Sequence, residues 1–157
     1  MTLSANDNQD PQIPAGLATV GNGAILGSGN IVTNGGTVNL SGVAIAIGSV
    51  NTTSTLAPGA VNMTTSTGNL VTGSINASSQ NPANPGGTVS LITDSGNIVV
   101  NGTVDVRGAN GTTSAGSAGG KVSLSRSSAA VPGSISVLNS ILASGGAGGT
   151  TAAFPGG

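Results

Sequence analysis

Four triplets of one form recur along this chain: Val38-Asn39-Leu40, Val61-Asn62-Met63, Val89-Ser90-Leu91 and Val122-Ser123-Leu124. Period-2 alternation puts the Val and the Leu or Met on one face of a short strand and the small polar residue on the other. Self-similarity of this kind marks a stacked repeat, in which each unit buries its apolar face against the next. A second strand follows each triplet, with inward pairs Ile45/Ile47, Leu70/Thr72, Ile98/Val100 and Ile135/Val137 and outward residues Ala46, Val71, Val99 and Ser136. A third places Val50/Thr52, Ile75/Ala77, Val104/Val106 and Ile141/Ala143 inward and Asn51, Asn76, Asp105 and Leu142 outward.

Glycines stand where one strand turns into the next, at Gly42, Gly48, Gly68, Gly73, Gly96, Gly102 and Gly133, and are expected to supply the positive φ of sharp corners. An earlier, incomplete unit is read at Leu17, Ile25 and Ile31. Its register has two solutions, because Gly29-Asn30-Ile31-Val32-Thr33 also matches the second-strand segment Gly68-Asn69-Leu70-Val71-Thr72. First-strand positions 17, 38, 61, 89 and 122 lie 21, 23, 28 and 33 residues apart. Most of the growth falls in the link from the third strand to the next unit, from Gly35-Gly36 to the run Gly108 to Gly120. A solenoid can extrude loops at one corner while its cross-section stays constant. Removal of Thr112 to Ala118 is therefore expected to be nearly neutral, since loop-closure entropy changes slowly with length.

Three short strands per unit, never separated by a helical pattern, define an all-β chain: a parallel β-helix, or β-solenoid, of about five coils with a roughly triangular section. Residues 17–144 form the solenoid, 1–16 a polar segment that is flexible or covers an end, and 145–157 a Gly-rich tail. The composition suits this. With no Cys, His, Trp or Tyr and a single aromatic, Phe154, the core must come from small branched side chains in a narrow, repeated arrangement. Charged residues make up 4% of the chain, where about a quarter is usual. Disorder is disfavoured, because disordered chains pair low hydrophobicity with high net charge, and this one is 36% hydrophobic with a net charge of −1.

The unit Gly87-Thr88-Val89-Ser90-Leu91, followed by Gly96-Asn97-Ile98-Val99-Val100-Asn101-Gly102-Thr103-Val104-Asp105-Val106-Arg107-Gly108, resembles the repeats of filamentous haemagglutinin-like exoproteins. These are large bacterial adhesins and two-partner-secretion passengers, and similar β-helix repeats occur in autotransporter passengers. The resemblance covers roughly residues 17 to 144. It implies export, a right-handed β-helical stalk, and contact with host cells, other bacteria or matrix. The segment resembles the repeat shaft rather than the targeting head. Met1 to Gly16 is polar and unlike a signal peptide, so export would use a signal outside this sequence or a route that it does not show.

Most other function classes lack their residues. The weak charge removes the footprint of nucleic-acid binding, and no apolar run is long enough for membrane insertion. Without Cys or His there is no thiolate or imidazole metal site, and no cofactor is expected. The Gly-rich runs lack the recurrent Asp of calcium-binding β-rolls. Polysaccharide-active β-helices line a groove with several carboxylates. Here Asp105 and Arg107 are the only close acid–base pair, with Lys121 as a further neighbour after the long loop, and they read as a solvated ion pair. The chain is thus read as non-catalytic, with a remnant of a polysaccharide-active protein as one alternative. An ice-binding solenoid is the other, although the Thr column through Thr37 and Thr88 is broken by Ala60 and Lys121.

Three surface features remain. Sequons stand at Asn39, Asn51, Asn62, Asn76, Asn101 and Asn110, several expected by chance in so polar a chain. The outward second-strand residues Ala46, Val71 and Val99, preceded by Leu26 or Val32, form an apolar stripe that is either an interaction face or covered by one of the loops. Both ends of the solenoid are open sheet edges, and neither terminal segment has the periodicity of a capping helix. End-to-end stacking of copies is the expected partnership, and Phe154 lying over an end is the rival.

Overall fold

The computed structural model describes residues 23–149 together with the strand Thr2–Ser4. No helix occurs among them, and so none is long and apolar enough to cross a membrane. In chain order the strands are β1 (Thr2–Ser4), β2 (Ile25–Leu26), β3 (Ile31–Val32), β4 (Val38–Gly42), β5 (Ile45–Ala46), β6 (Val50–Asn51), β7 (Val61–Thr65) and β8 (Leu70–Thr72). They continue with β9 (Ile75–Asn76), β10 (Thr88–Thr93), β11 (Ile98–Val100), β12 (Val104–Asp105), β13 (Lys121–Arg126), β14 (Ile135–Val137) and β15 (Ile141–Leu142). Every third strand is a neighbour, and all pairings are parallel. The sheets run β1-β4-β7-β10-β13, β2-β5-β8-β11-β14 and β3-β6-β9-β12-β15. This is a parallel β-solenoid whose three sheets enclose one core.

The register turns sequence repeats into columns. Val38, Val61, Val89 and Val122 stack in the first sheet, and Leu40, Met63, Leu91 and Leu124 stack two residues on. Ile25, Ile45, Leu70, Ile98 and Ile135 form the second-sheet column, and Ile31, Val50, Ile75, Val104 and Ile141 the third. Central members of these columns are fully buried, as alternation in a half-buried strand requires. The last members differ: Ile135 is 43% and Ile141 47% exposed, because no described strand stacks beyond β14 and β15. Buried Thr hydroxyls are satisfied within the stack, as in Thr52 Oγ1 donating to the Gly59 carbonyl at 2.8 Å and Thr72 Oγ1 to the Gly48 carbonyl at 3.1 Å.

Three expectations change. The first-sheet strand beside β4 is Thr2–Ser4, pairing Leu3 with Leu40; the strand expected at Leu17 lies outside the described residues. Thr2–Ser4 therefore sits in the sheet although it falls within the polar 1–16 segment, and the register of Ile31–Val32 resolves in favour of the third sheet, opposite Val50–Asn51. The corner glycines also act differently from the expectation. Among the described glycines only Gly35 has a positive φ, at 93°, following Asn34 at 48°. Gly96 is required by close stacking: a Cβ there would lie 2.0 Å from the Gly68 carbonyl oxygen of the layer below. The layers approach too closely for a side chain at this corner.

Residues 108–120 are likewise not a free loop. Gly108 and Gly111 donate to the carbonyls of Ser144 and Ala147, Ser117 and Gly120 to those of Ala109 and Val106, and Gly146 and Gly149 to those of Ser117 and Ser114. Segments 106–111, 114–120 and 143–149 are thus tied pairwise by bonds that recur every third residue, the period of polyproline II rather than of a strand. Glycine at each contact lets the backbones touch. A Cβ on Gly146 would stand 1.9 Å from the Ala109 carbonyl oxygen.

Candidate functional site

Among the described residues, the one ion pair lies where the third sheet meets its corner loops. Outward residues Asn51, Asn76 and Asp105 occupy one register position of β6, β9 and β12. Each accepts hydrogen bonds from the residue two positions on. Asn51 Oδ1 accepts from Thr53 N at 3.0 Å and Thr53 Oγ1 at 2.8 Å, and Asn76 Oδ1 from Ser78 N at 3.1 Å and Ser78 Oγ at 2.8 Å. Asp105 Oδ1 accepts from Arg107 N and Nε, both at 3.0 Å, and Arg107 Nη2 closes an ion pair on Oδ2 at 2.7 Å. The only acid–base pair expected from sequence is therefore a charged version of a turn made twice before with Asn.

Burial raises the Asp105 carboxyl, but the hydrogen bonds from the Arg107 side chain and backbone, with the guanidinium charge, outweigh it and hold the group below the ordinary Asp value. The hydrogen bond and charge of Asp105 raise Arg107 in return. Lys121 does not join them: it opens β13, in register with Thr88 in the first sheet. A depressed carboxylate contributes stability above the unfolded-state value, about 3.9, and loses it as pH falls through the folded value. The contribution is small, because the Arg107 side chain is 51% exposed and water screens the pair. Asp105→Asn should leave the urea midpoint at pH 7 almost unchanged, since Asn keeps the turn. In acid titrations the wild type should lose a small increment below about pH 4 that the variant lacks. A large loss at pH 7 would mean that the charge itself holds this corner.

Beside the turn, a polar groove of about 410 Å³ is bordered by Ser78, Gln80, Arg107, Asn110 and Ser144. A second of about 410 Å³ lies along Thr53, Ser54, Leu56 and Gln80. Gln80 borders both. Among the described residues no three His, Cys, Asp or Glu side chains gather where they could hold a metal.

The apolar stripe is placed by the register of the second sheet: Leu26, Ala46, Val71 and Val99 follow one another, with Ser136 after them, and Val32 belongs to the third sheet beside Asn51. Ala46, Val71 and Val99 are half-buried and Leu26 is exposed. Of the sequon residues, Asn101 and Asn110 are exposed, while Asn62 Nδ2 is spent on Asn39 Oδ1 at 2.8 Å.

One residue with a structural task was not singled out from sequence. Arg126 continues the inward column of Gly42, Thr65 and Thr93 at the end of β13. With no described strand above it, its guanidinium turns onto backbone carbonyls, those of Gly96 at 2.8 Å, Val131 at 2.9 Å, Ser95 at 3.2 Å and Gly133 at 3.3 Å. Extending the alternation two residues past each triplet is the signal that finds it. Arg126→Met keeps the stem and removes these bonds, and should cost about 1–2 kcal/mol in urea denaturation, with faster amide exchange over residues 127–134.

Comparison with protein-family models, with curated proteins and with solved structures finds no match to this chain. What the chain does must be argued from its own geometry.

Proposed function

We propose that this chain is a structural, non-catalytic segment of a secreted or cell-surface bacterial protein, a right-handed β-helix of about five coils with a roughly triangular section that serves as part of an adhesive shaft. The observation that carries the reading is the equivalence of Asn51, Asn76 and Asp105: the one ion pair among the described residues repeats a backbone turn that Asn makes in the two layers before it. Supporting it, most inward columns are aliphatic from layer to layer, and among the described residues every buried side-chain polar atom, those of the inward Thr included, has a partner. Such a stack spends its residues on length and rigidity, and its outer faces are left for contact with host cells or matrix. The resemblance of Gly87 to Gly108 to filamentous haemagglutinin-like repeats agrees with this role. Immunogold labelling of intact source cells with antibody to the purified chain tests it. Label on unpermeabilised cells is expected; label confined to the cell interior would overturn the reading.

A further inference from the structure

The edge strands β14 and β15, and β2 and β3, end the same register columns that the inner layers stack on one another. Within the chain, each layer exchanges hydrogen bonds with the next in a fixed register, and one set of its donors points forward. Ile25 N donates to the Ala44 carbonyl, Ile45 N to Asn69, Leu70 N to Asn97 and Ile98 N to Ser134. In the third sheet Ile31 N donates to Ser49, Val50 N to Ser74, Ile75 N to Thr103 and Val104 N to Ser140, at 2.9 Å each. The next donors in the series are Ile135 N and Ile141 N, on edge strands with no described neighbour beyond them. The acceptors that begin each series are the carbonyls of Ala24 and Asn30, one residue before β2 and β3.

The side chains follow the same order. Ile135 and Ile141, half-exposed at one end, head the columns that Ile25 and Ile31 begin at the other. A polar ladder also runs one way: Asn30 Oδ1 accepts from Ser49 N, Ser49 Oγ from Ser74 N, and Ser74 Oγ from Thr103 N. A head-to-head contact would pair an edge strand with its own copy antiparallel, which does not reproduce the parallel register of the inner layers. A head-to-tail contact reproduces it and leaves a new edge.

We infer that a second copy of this chain continues the stack, with β14 and β15 of one copy pairing in parallel with β2 and β3 of the next. Ile135 N then donates to the Ala24 carbonyl and Ile141 N to the Asn30 carbonyl. The contact is heterologous and propagates as a filament, continuing Ile135 onto Ile25 and Ile141 onto Ile31. This rests on the structural reading above and adds its partner and register.

The chain has no cysteine, which permits a direct test. Ala24 and Ser134 are both exposed and lie at opposite ends of one chain, at equivalent positions of the stack. Parallel neighbours in a sheet stand about 4.8 Å apart, within the span that a disulfide bridges. The double variant Ala24→Cys/Ser134→Cys, mildly oxidised, should give a ladder of covalent oligomers on a non-reducing gel, each with wild-type circular dichroism. The mismatched pair Ala24→Cys/Ser140→Cys, which joins different sheets, should give far less. Equal ladders from both pairs, or a monomer mass for the wild type by light scattering at all concentrations, would overturn the inference. A folded monomer that still labels the surface of cells would do so while leaving the structural role standing.

Discussion

Replacing Ile98 by Asp is expected to abolish the cooperative thermal transition of the solenoid. Ile98 is fully buried, in register between Leu70 of one layer and Ile135 of the next, and the core around it is aliphatic. A carboxylate there would be set among the aliphatic side chains of the core. Burying it costs several kcal/mol even if it takes up a proton, against a total stability of about 5–15 kcal/mol for an ordinary domain. Because each layer of a solenoid is held by its two neighbours, failure at β11 uncouples both. Val99→Asp is the control: Val99 lies next in the chain but faces outward and is half-exposed, so its carboxylate stays in water. Circular dichroism melts should show the wild-type midpoint for Val99→Asp and no native transition for Ile98→Asp. Equal losses would mean that the outward face of this strand is covered as well as the inward one.

The contrast between Ile98 and Val99 was readable from sequence, because alternation along a short strand is a local property and the Val-x-Leu triplets repeat it. The same holds for the stacking of Val38, Val61, Val89 and Val122. Pairing across a long separation was not readable. The strand Thr2–Ser4 carries no triplet of that form, and only its partnership with Asn39–Ser41 identifies it. The role of Gly96 was misread for a related reason: the need for glycine comes from the Gly68 carbonyl one layer away, which no local pattern reveals. At the candidate site the pairing of Asp105 with Arg107 was visible as an i, i+2 neighbour, but its kinship with Asn51 and Asn76 needed the turn geometry. Arg126 was hidden because a charged residue in an inward column looks like an exception until its carbonyl partners are seen.

The Gly-rich run Gly108 to Gly120 separates the sequence reading from the structure most sharply, and it gives the second large effect. As an extruded loop it could be shortened freely. In the structure Ser117 is buried, its Oγ accepts from Ala109 N at 2.7 Å, and its carbonyl accepts from Gly146 N at 2.8 Å. Deleting Thr112 to Ala118 removes that residue and the Ser114 carbonyl that accepts from Gly149 N. Gly146→Val probes the same layer without changing chain length. Its Cβ would meet backbone, at 1.9 Å from the Ala109 oxygen and 2.3 Å from the Ala109 carbon, so no side chain can swing aside to make room. Segments 106–111 and 143–149 must separate, at a cost of about 1–3 kcal/mol or more. Gly29→Ala supplies the comparison, because a Cβ at Gly29 meets nothing within 4 Å. Urea midpoints should fall clearly for Gly146→Val and for the deletion and hold for Gly29→Ala. If the deletion proves neutral while Gly146→Val is damaging, segments 106–111 and 143–149 form the essential contact and 112–118 is a loop after all; if both are neutral, the three-residue bonding does not stabilise the fold.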